Sequence, residues 1–220
     1  MRKKKSVTGL QKAAFGTVVA GVIAGTLWLT FGKGMPFQVP AYSVSRVIDG
    51  DTFETVEKQL IRLASTEAPE EGLCGSQEAK NALEGFVMGK PVYLKVLYRD
   101  PYYRLVSQVY TEGGYVNERM IAEGFAYYYN RDKNVAEKLK SAGEQARKEK
   151  KGIHGPPCTQ TNPITPRCEI KGNVREEKIY FTPRCQQYKI TDVQLYLGDR
   201  WFCTEREAFD AGFRKGKQCP

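Results

Sequence analysis

Three short stretches of the chain carry residue types that could do chemistry. They are Val47-Ile-Asp-Gly-Asp-Thr-Phe53, Ile61-Arg-Leu-Ala-Ser-Thr-Glu-Ala-Pro-Glu70 and Asp100-Pro-Tyr-Tyr-Arg104. Carboxylates hold hard cations or take up protons, and guanidiniums clamp oxyanions through paired N–H donors. Taken singly, most of these residues have plainer readings. Asp49-Gly50-Asp51 is a hairpin turn signal, and Glu67 and Glu70 flanking Ala68-Pro69 suit a solvated turn. Arg62 is harder to dismiss, because a strand of Ile61-Arg-Leu63 type alternates its faces. An arginine pointing into the mouth of a barrel needs a reason. The conjunction of acids with two arginines is what singles these segments out.

Positioning them requires a small mixed scaffold. Runs at Tyr42–Ile48, Thr52–Val56, Gln59–Ala64, Val92–Tyr98 and Leu105–Tyr110 predict five strands. Helices are expected over Gln77–Val87 after Ser76, over Asn117–Phe125, and over Asn134–Lys151. The last has Val135, Leu139, Ala142 and Ala146 on one face and stops at Gly152. This order suits a closed OB-like barrel with helical packing, although the order alone does not settle it.

The chain has 220 residues, with 41% hydrophobic and 27% charged residues, which excludes wholesale disorder and a polytopic membrane protein. The formal charge is +9, but five of the 34 positives lie in the first twelve residues. The remainder carries 29 positives against 25 acids, a surplus that permits a polyanionic partner without demanding one. Residues 1–12 read as a basic cytoplasmic tail. Residues 13–31 form an uncharged run, about 28 Å long as a helix and so close to the thickness of a bilayer core. We read this run as an uncleaved transmembrane anchor, with a cleaved signal as the alternative. Positive charges stay cytoplasmic, so the rest of the chain is expected outside, periplasmic or on the cell surface, or secreted if the signal is cut. Gly21 and Gly25 make a weak helix-pairing motif. Residues 32–41 are a linker, 42–154 the main domain, 155–166 a Pro/Thr-rich linker, and 167–220 a small α/β cysteine-rich domain. The one histidine, His154, is expected to pack at a helix end.

From about Ser43 to Ile153 the chain resembles the staphylococcal nuclease (thermonuclease) family. The shared features are Ile-Asp-Gly-Asp-Thr, the Arg-Leu…Pro-Glu segment, a Tyr-x-Arg segment and Val-Asn-Glu-Arg-Met-Ile-Ala-Glu-Gly-Phe-Ala (116–126). The resemblance implies an α+β, five-stranded OB-fold barrel with three helices. It also implies a calcium-dependent phosphodiesterase cleaving DNA and RNA, single-stranded substrate favoured. Carried onto this chain, Arg62 and Arg104 clamp the phosphate and Glu70 is the base that activates water. Asp51, Glu67 and the Ala68 carbonyl are Ca²⁺ ligands, with Asp49 behind them. Tyr102 lies near the phosphate, and Tyr128 and Tyr129, in the Tyr127–Tyr129 run, line the nucleotide pocket. Glu67 departs from the aspartate usual at its position. Tyr103 replaces a glycine, and would be strained if that position needs a positive φ. Pro101 stiffens the same turn.

The tail also looks like the metal-binding module of the Ada DNA-repair protein. Gly216 stands where a paired cysteine would precede Cys219, and no cysteine tetrad is complete. Disulfides are the better reading outside the cytoplasm. Six cysteines allow 15 pairings. Those expected are Cys168–Cys203, Cys185–Cys219 and Cys74–Cys158. The tail's basic residues could grip nucleic acid or form a solvated surface. No protein partner is evident. A catalytically inactive nucleic-acid-binding OB module on the membrane is the alternative to an active nuclease, and the Arg62–Glu70–Arg104 set argues against it. A structural envelope protein leaves that set unexplained.

Overall fold

A computed structural model describes residues 41–129 and 136–220. The basic tail, the 13–31 run, its glycine pair, nearly all of the first linker and Val135 lie outside the described residues. Among the described residues no helix is long and apolar enough to cross a membrane.

The main sheet is built from β1 (Val44–Val47), β2 (Thr52–Thr55), β3 (Leu60–Leu63), β5 (Tyr93–Arg99) and β6 (Leu105–Thr111), with β7 (Gly114–Tyr115) added to β6. Its order is β1-β2-β3-β6-β5, with β3 and β6 parallel and the other pairs antiparallel. Where a closed five-stranded barrel was expected, among the described residues no ladder joins the first strand to the last. The two ends meet at one bridge between Tyr42 and Val92, which exchange backbone hydrogen bonds of 2.7 and 3.0 Å. A short pair, β4 (Thr66–Glu67) with β8 (Tyr127–Tyr128), lies outside this sheet.

Helix α1 (Ser76–Val87) buries Ala79, Leu83 and Val87, one residue per turn. Helix α2 (Val116–Ala122) buries Val116, Met120 and Ile121, and α3 (Ala136–Lys148) follows. Leu139 and Ala146 of α3 are buried and Ala142 is partly so, which is the face expected. These helices cover a core centred on the fully buried Phe53 and Ile61.

Residues 155–166 include β9 (Thr159–Gln160). The C-terminal region adds β10 (Ile170–Val174), β11 (Lys178–Phe181), β12 (Val193–Gln194), β13 (Arg200–Phe202), α4 (Glu205–Asp210) and β14 (Arg214–Lys215). Its sheet has the order β13-β10-β11-β14, and β12 pairs with β9. Thr204 caps α4 by accepting a hydrogen bond from the Glu207 N–H. The disulfides are Cys74–Cys158, Cys168–Cys203 and Cys185–Cys219, the pairs named above. Among the described residues no cysteine is free. All described residues belong to one compact unit.

Candidate active site

The β1–β2 turn delivers the first acids. Asp49 Oδ1 accepts the Asp51 N–H at 2.9 Å, and the Ile48 and Asp49 N–H groups both donate to the Thr52 carbonyl. A Cβ on Gly50 would sit 2.5 Å from the Cβ atoms of Ala68 and Ala79. Only glycine therefore lets this turn lie so close to α1 and to the stretch after β4.

Asp51 is buried and both its carboxylate oxygens are occupied. Oδ1 accepts from Arg62 and from the Thr52 hydroxyl at 2.8 Å, and Oδ2 accepts from the Ala68 N–H at 2.9 Å. Burial pushes the Asp51 carboxyl up to about 7, against the pull of Arg62 and with a further push from Asp49. Arg62 comes from β3, whose Cα partner to Arg62 across the ladder is Thr52. Its Nη1 is bound to Asp51, and its Nη2 lies 2.6 Å from Glu67 Oε2. Burial works against its charge, but Asp51 and Glu67 outweigh it and hold the guanidinium above its usual range.

Glu67 and Ala68 are brought to this point by the β4–β8 pair, in which Glu67 lies opposite Tyr127 and Thr66 opposite Tyr128. Glu70 follows Pro69 and is exposed. Arg104 stands just before β6, which runs parallel to β3 with Arg62 opposite Val106, so the two arginines issue from neighbouring strands. Asp100 organises Arg104. Its Oδ1 accepts the Tyr102 and Arg104 N–H groups at 3.0 and 2.9 Å, and its Oδ2 takes the Arg104 Nε–H at 2.8 Å. Tyr102 is 76% exposed, and the Arg104 guanidinium lies 5.4 Å from its ring centre. Tyr103 does adopt a positive φ, +63°.

The structure thus brings Asp49, Asp51, Arg62, Glu67 and Ala68 into direct contact. Tyr102 and Arg104 form a second cluster, and Glu70 stands on the surface nearby in sequence. Tyr128 packs against the core, its Cβ close to Gly143 of α3. Tyr129 is half-exposed and donates its N–H to the Ser65 carbonyl.

Two residues with a part in the site were not singled out for it from the sequence. Thr52 and Asp100 are local partners of Asp51 and Arg104, readable only as neighbours in the two motifs. Tyr127, of the tyrosine run expected at the nucleotide pocket, lies opposite Glu67 in the β4–β8 pair. Burial pushes its hydroxyl up to about 12, and the charges of Glu67, Asp51 and Glu70 add to the rise.

Among the described residues no group of three or more His, Cys, Asp or Glu side chains is placed to hold a metal. Asp51 and Glu67 nonetheless converge on one positive charge, the Arg62 guanidinium, using oxygen atoms alone. That donor set fits a hard divalent cation and would not favour a soft one.

The staphylococcal nuclease homologue family model matches residues 60–154. An "Uncharacterized endonuclease" of Escherichia coli O157:H7 is 32% identical over 127 residues, 56% of this chain and 80% of the relative. The chain belongs to the staphylococcal nuclease family. A "Probable staphylococcal-like nuclease CAN1" of Oryza sativa subsp. japonica is 38% identical over 73 residues, 33% of this chain and 22% of the relative. An "Uncharacterized endonuclease" of Haemophilus influenzae is 32% identical over 90 residues, 39% of this chain and 51% of the relative. This family member is a nuclease, and the acid–arginine constellation is where its chemistry is sought.

Proposed function

We propose that this nuclease is a calcium-dependent endonuclease that hydrolyses phosphodiester bonds in DNA and RNA, single strands preferred. The observation that carries the reading is Arg62 held between Asp51 and Glu67, with Arg104 just before the start of the adjacent strand β6. A scissile phosphate gains negative charge on its non-bridging oxygens as water attacks. Two planar, permanently charged guanidiniums suit that charge. Asp100 occupies Arg104 Nε and so orients the guanidinium before substrate arrives. Asp51 and Glu67 balance the positive charge of Arg62 and hold the guanidinium in place.

Glu70 is the candidate general base. It is exposed to solvent, where a water for in-line attack is at hand, and its carboxylate takes the proton that water loses. Asp51, Glu67 and the Ala68 carbonyl would hold calcium, with Asp49 supporting Asp51 from behind. When bound, the cation supplies charge to the phosphate and polarises the attacking water. Exposed aromatic rings at Tyr102 and Tyr129 suit sequence-tolerant stacking of unpaired bases.

The reading places the enzyme outside the cytoplasm, anchored by residues 13–31 or released after their removal. Three disulfides support this, because such bonds persist in oxidising compartments. The test compares cleavage of single-stranded DNA and RNA in Ca²⁺, in Mg²⁺ and in chelator. Fractionation of cells carrying the tagged full chain checks its location.

A further inference from the structure

The stretch from Glu67 to Cys74 carries two of the site's carboxylates, yet only Glu67, the end of β4, lies in a strand. Irregular backbone of this kind holds catalytic geometry only if something packs beneath it. Two connections run from this stretch into the C-terminal region.

The first passes through Tyr127, the strand partner of Glu67. The Tyr127 ring lies 5.7 Å from the ring of Tyr196, at a 52° tilt. Tyr196 is 4% exposed, stands in the turn after β12, and meets the His154 ring edge-on at 5.6 Å. The second passes through Cys74. The Leu73 N–H donates to the Glu70 carbonyl at 3.0 Å, and Cys74 follows in the disulfide to Cys158. The Cys158 carbonyl accepts the Leu195 N–H at 2.8 Å, next to Tyr196. Ile153, Cys158, Tyr196, Cys74, Tyr127 and Leu197 close into one apolar cluster, separate from the main core. A Cβ on Gly75 would lie 2.5 Å from Ile153 Cγ2, so the stretch is seated tightly on this cluster.

We propose that the C-terminal region is a positioning element of the nuclease centre, with Tyr196 as its positioning residue. The Tyr196 ring, acting through Tyr127, and the Cys74–Cys158 bond hold residues 67–74 so that Glu67 keeps its place against Arg62 and Glu70 its place in the stretch that follows. Tyr196 is buried and touches no substrate; it acts only through its neighbours. The proposal rests on the assignment of Glu67 and Glu70 to the site made above.

The test uses the full chain and the variants Tyr196→Leu, Tyr196→Phe and Cys74→Ala/Cys158→Ala, with Glu70→Gln as an inactive reference. Steady-state kinetics on single-stranded DNA are read with amide hydrogen exchange over residues 66–75, well below each melting temperature. Misplacing a catalytic group by about an ångström costs up to about 100-fold in rate, so Tyr196→Leu and the double cysteine variant should lose about tenfold or more in kcat. KM should stay within about threefold, since a group acting on the chemical step alone leaves ground-state binding unchanged. In Tyr196→Leu exchange should quicken over 66–75 more than across the main core, and Tyr196→Phe should restore both readouts. A folded Tyr196→Leu protein with wild-type kcat would overturn the proposal. So would quickened exchange spread evenly over the Tyr196→Leu molecule, or a Tyr196→Phe protein as impaired as Tyr196→Leu. If the wild-type chain cleaves nothing, the functional reading fails. Exchange then decides the proposal alone: quickening confined to 66–75 supports it, and unchanged exchange there refutes it.

Discussion

Arg62 and Glu70 have opposite relations to the fold, and their variants should separate structure from chemistry. Glu70 is exposed, so Glu70→Gln should change folding stability by less than about 0.5 kcal/mol. It should lower cleavage by about 10²-fold or more through loss of the general base. Paired urea melts and initial rates check both parts. Tyr103 offers the converse case. Its φ of +63° costs a non-glycine residue about 1 kcal/mol, so Tyr103→Gly should raise stability by about that amount in a urea melt. The Asp100–Arg104 pairing does not depend on the Tyr103 side chain, and should survive. At this scale much was legible from the sequence. Arg62 stood out because an arginine inside an apolar strand demands partners. The question posed by tyrosine in place of glycine at 103 could also be asked from the sequence. Thr52 was not legible as a partner of Asp51, because a threonine after Asp-Gly-Asp is equally at home starting a strand.

At the scale of elements, Asn117 joins the pieces that present the site. Its Oδ1 accepts the Val109 N–H, and its Nδ2 donates to the carbonyls of Ala64 and Ser107. It thereby locks α2 to β6 and to the end of β3. Asn117→Ala takes the side-chain acceptor from the buried Val109 N–H, while the Ala64 and Ser107 carbonyls keep the Thr66 hydroxyl and the Ala64 N–H as donors. It should destabilise the protein by about 1–3 kcal/mol in chemical denaturation. His154 is the second element-scale case. Burial, with Arg147 nearby, pushes its imidazole down from 6.5 to about 4. Between those values the unfolded chain takes up a proton that the folded chain refuses. The stability from neutral His154 is therefore complete above about pH 6.5 and is lost as pH falls towards 4. Asp51, raised to about 7, works in the opposite direction over the same range, so the His154 contribution is read as a difference: the urea midpoint of His154→Phe relative to the wild type should rise as pH is lowered from 7 to 5. The helices were legible because their apolar spacing is periodic: Ala79, Leu83 and Val87 recur every fourth residue. Closure of the sheet was not. A single bridge at Tyr42 and Val92 depends on how far the strands curl, which no local pattern encodes.

Across the whole molecule, the link between the nuclease region and the C-terminal region matters most. Cys74–Cys158 closes 84 residues of chain. In the loop-entropy account its removal costs about 4–5 kcal/mol. The Cys74→Ala/Cys158→Ala protein should accordingly melt well below the wild type in a thermal scan under oxidising conditions. The cysteine count and the expected extracytoplasmic address pointed to disulfides, but the packing of Tyr196 against Tyr127 was not legible, since nothing in either residue's neighbourhood names the other. The central claim is that the Asp51–Arg62–Glu67 cluster, Glu70 and Arg104 form one calcium-dependent phosphodiesterase centre. The most direct test is cleavage of single-stranded DNA by the disulfide-intact protein in Ca²⁺, in Mg²⁺ and in chelator, beside Glu70→Gln and Arg104→Ala. The account predicts cleavage that requires Ca²⁺ and falls by about 10²-fold or more in each variant. Cleavage that persists in chelator, or that both variants retain in full, would contradict it.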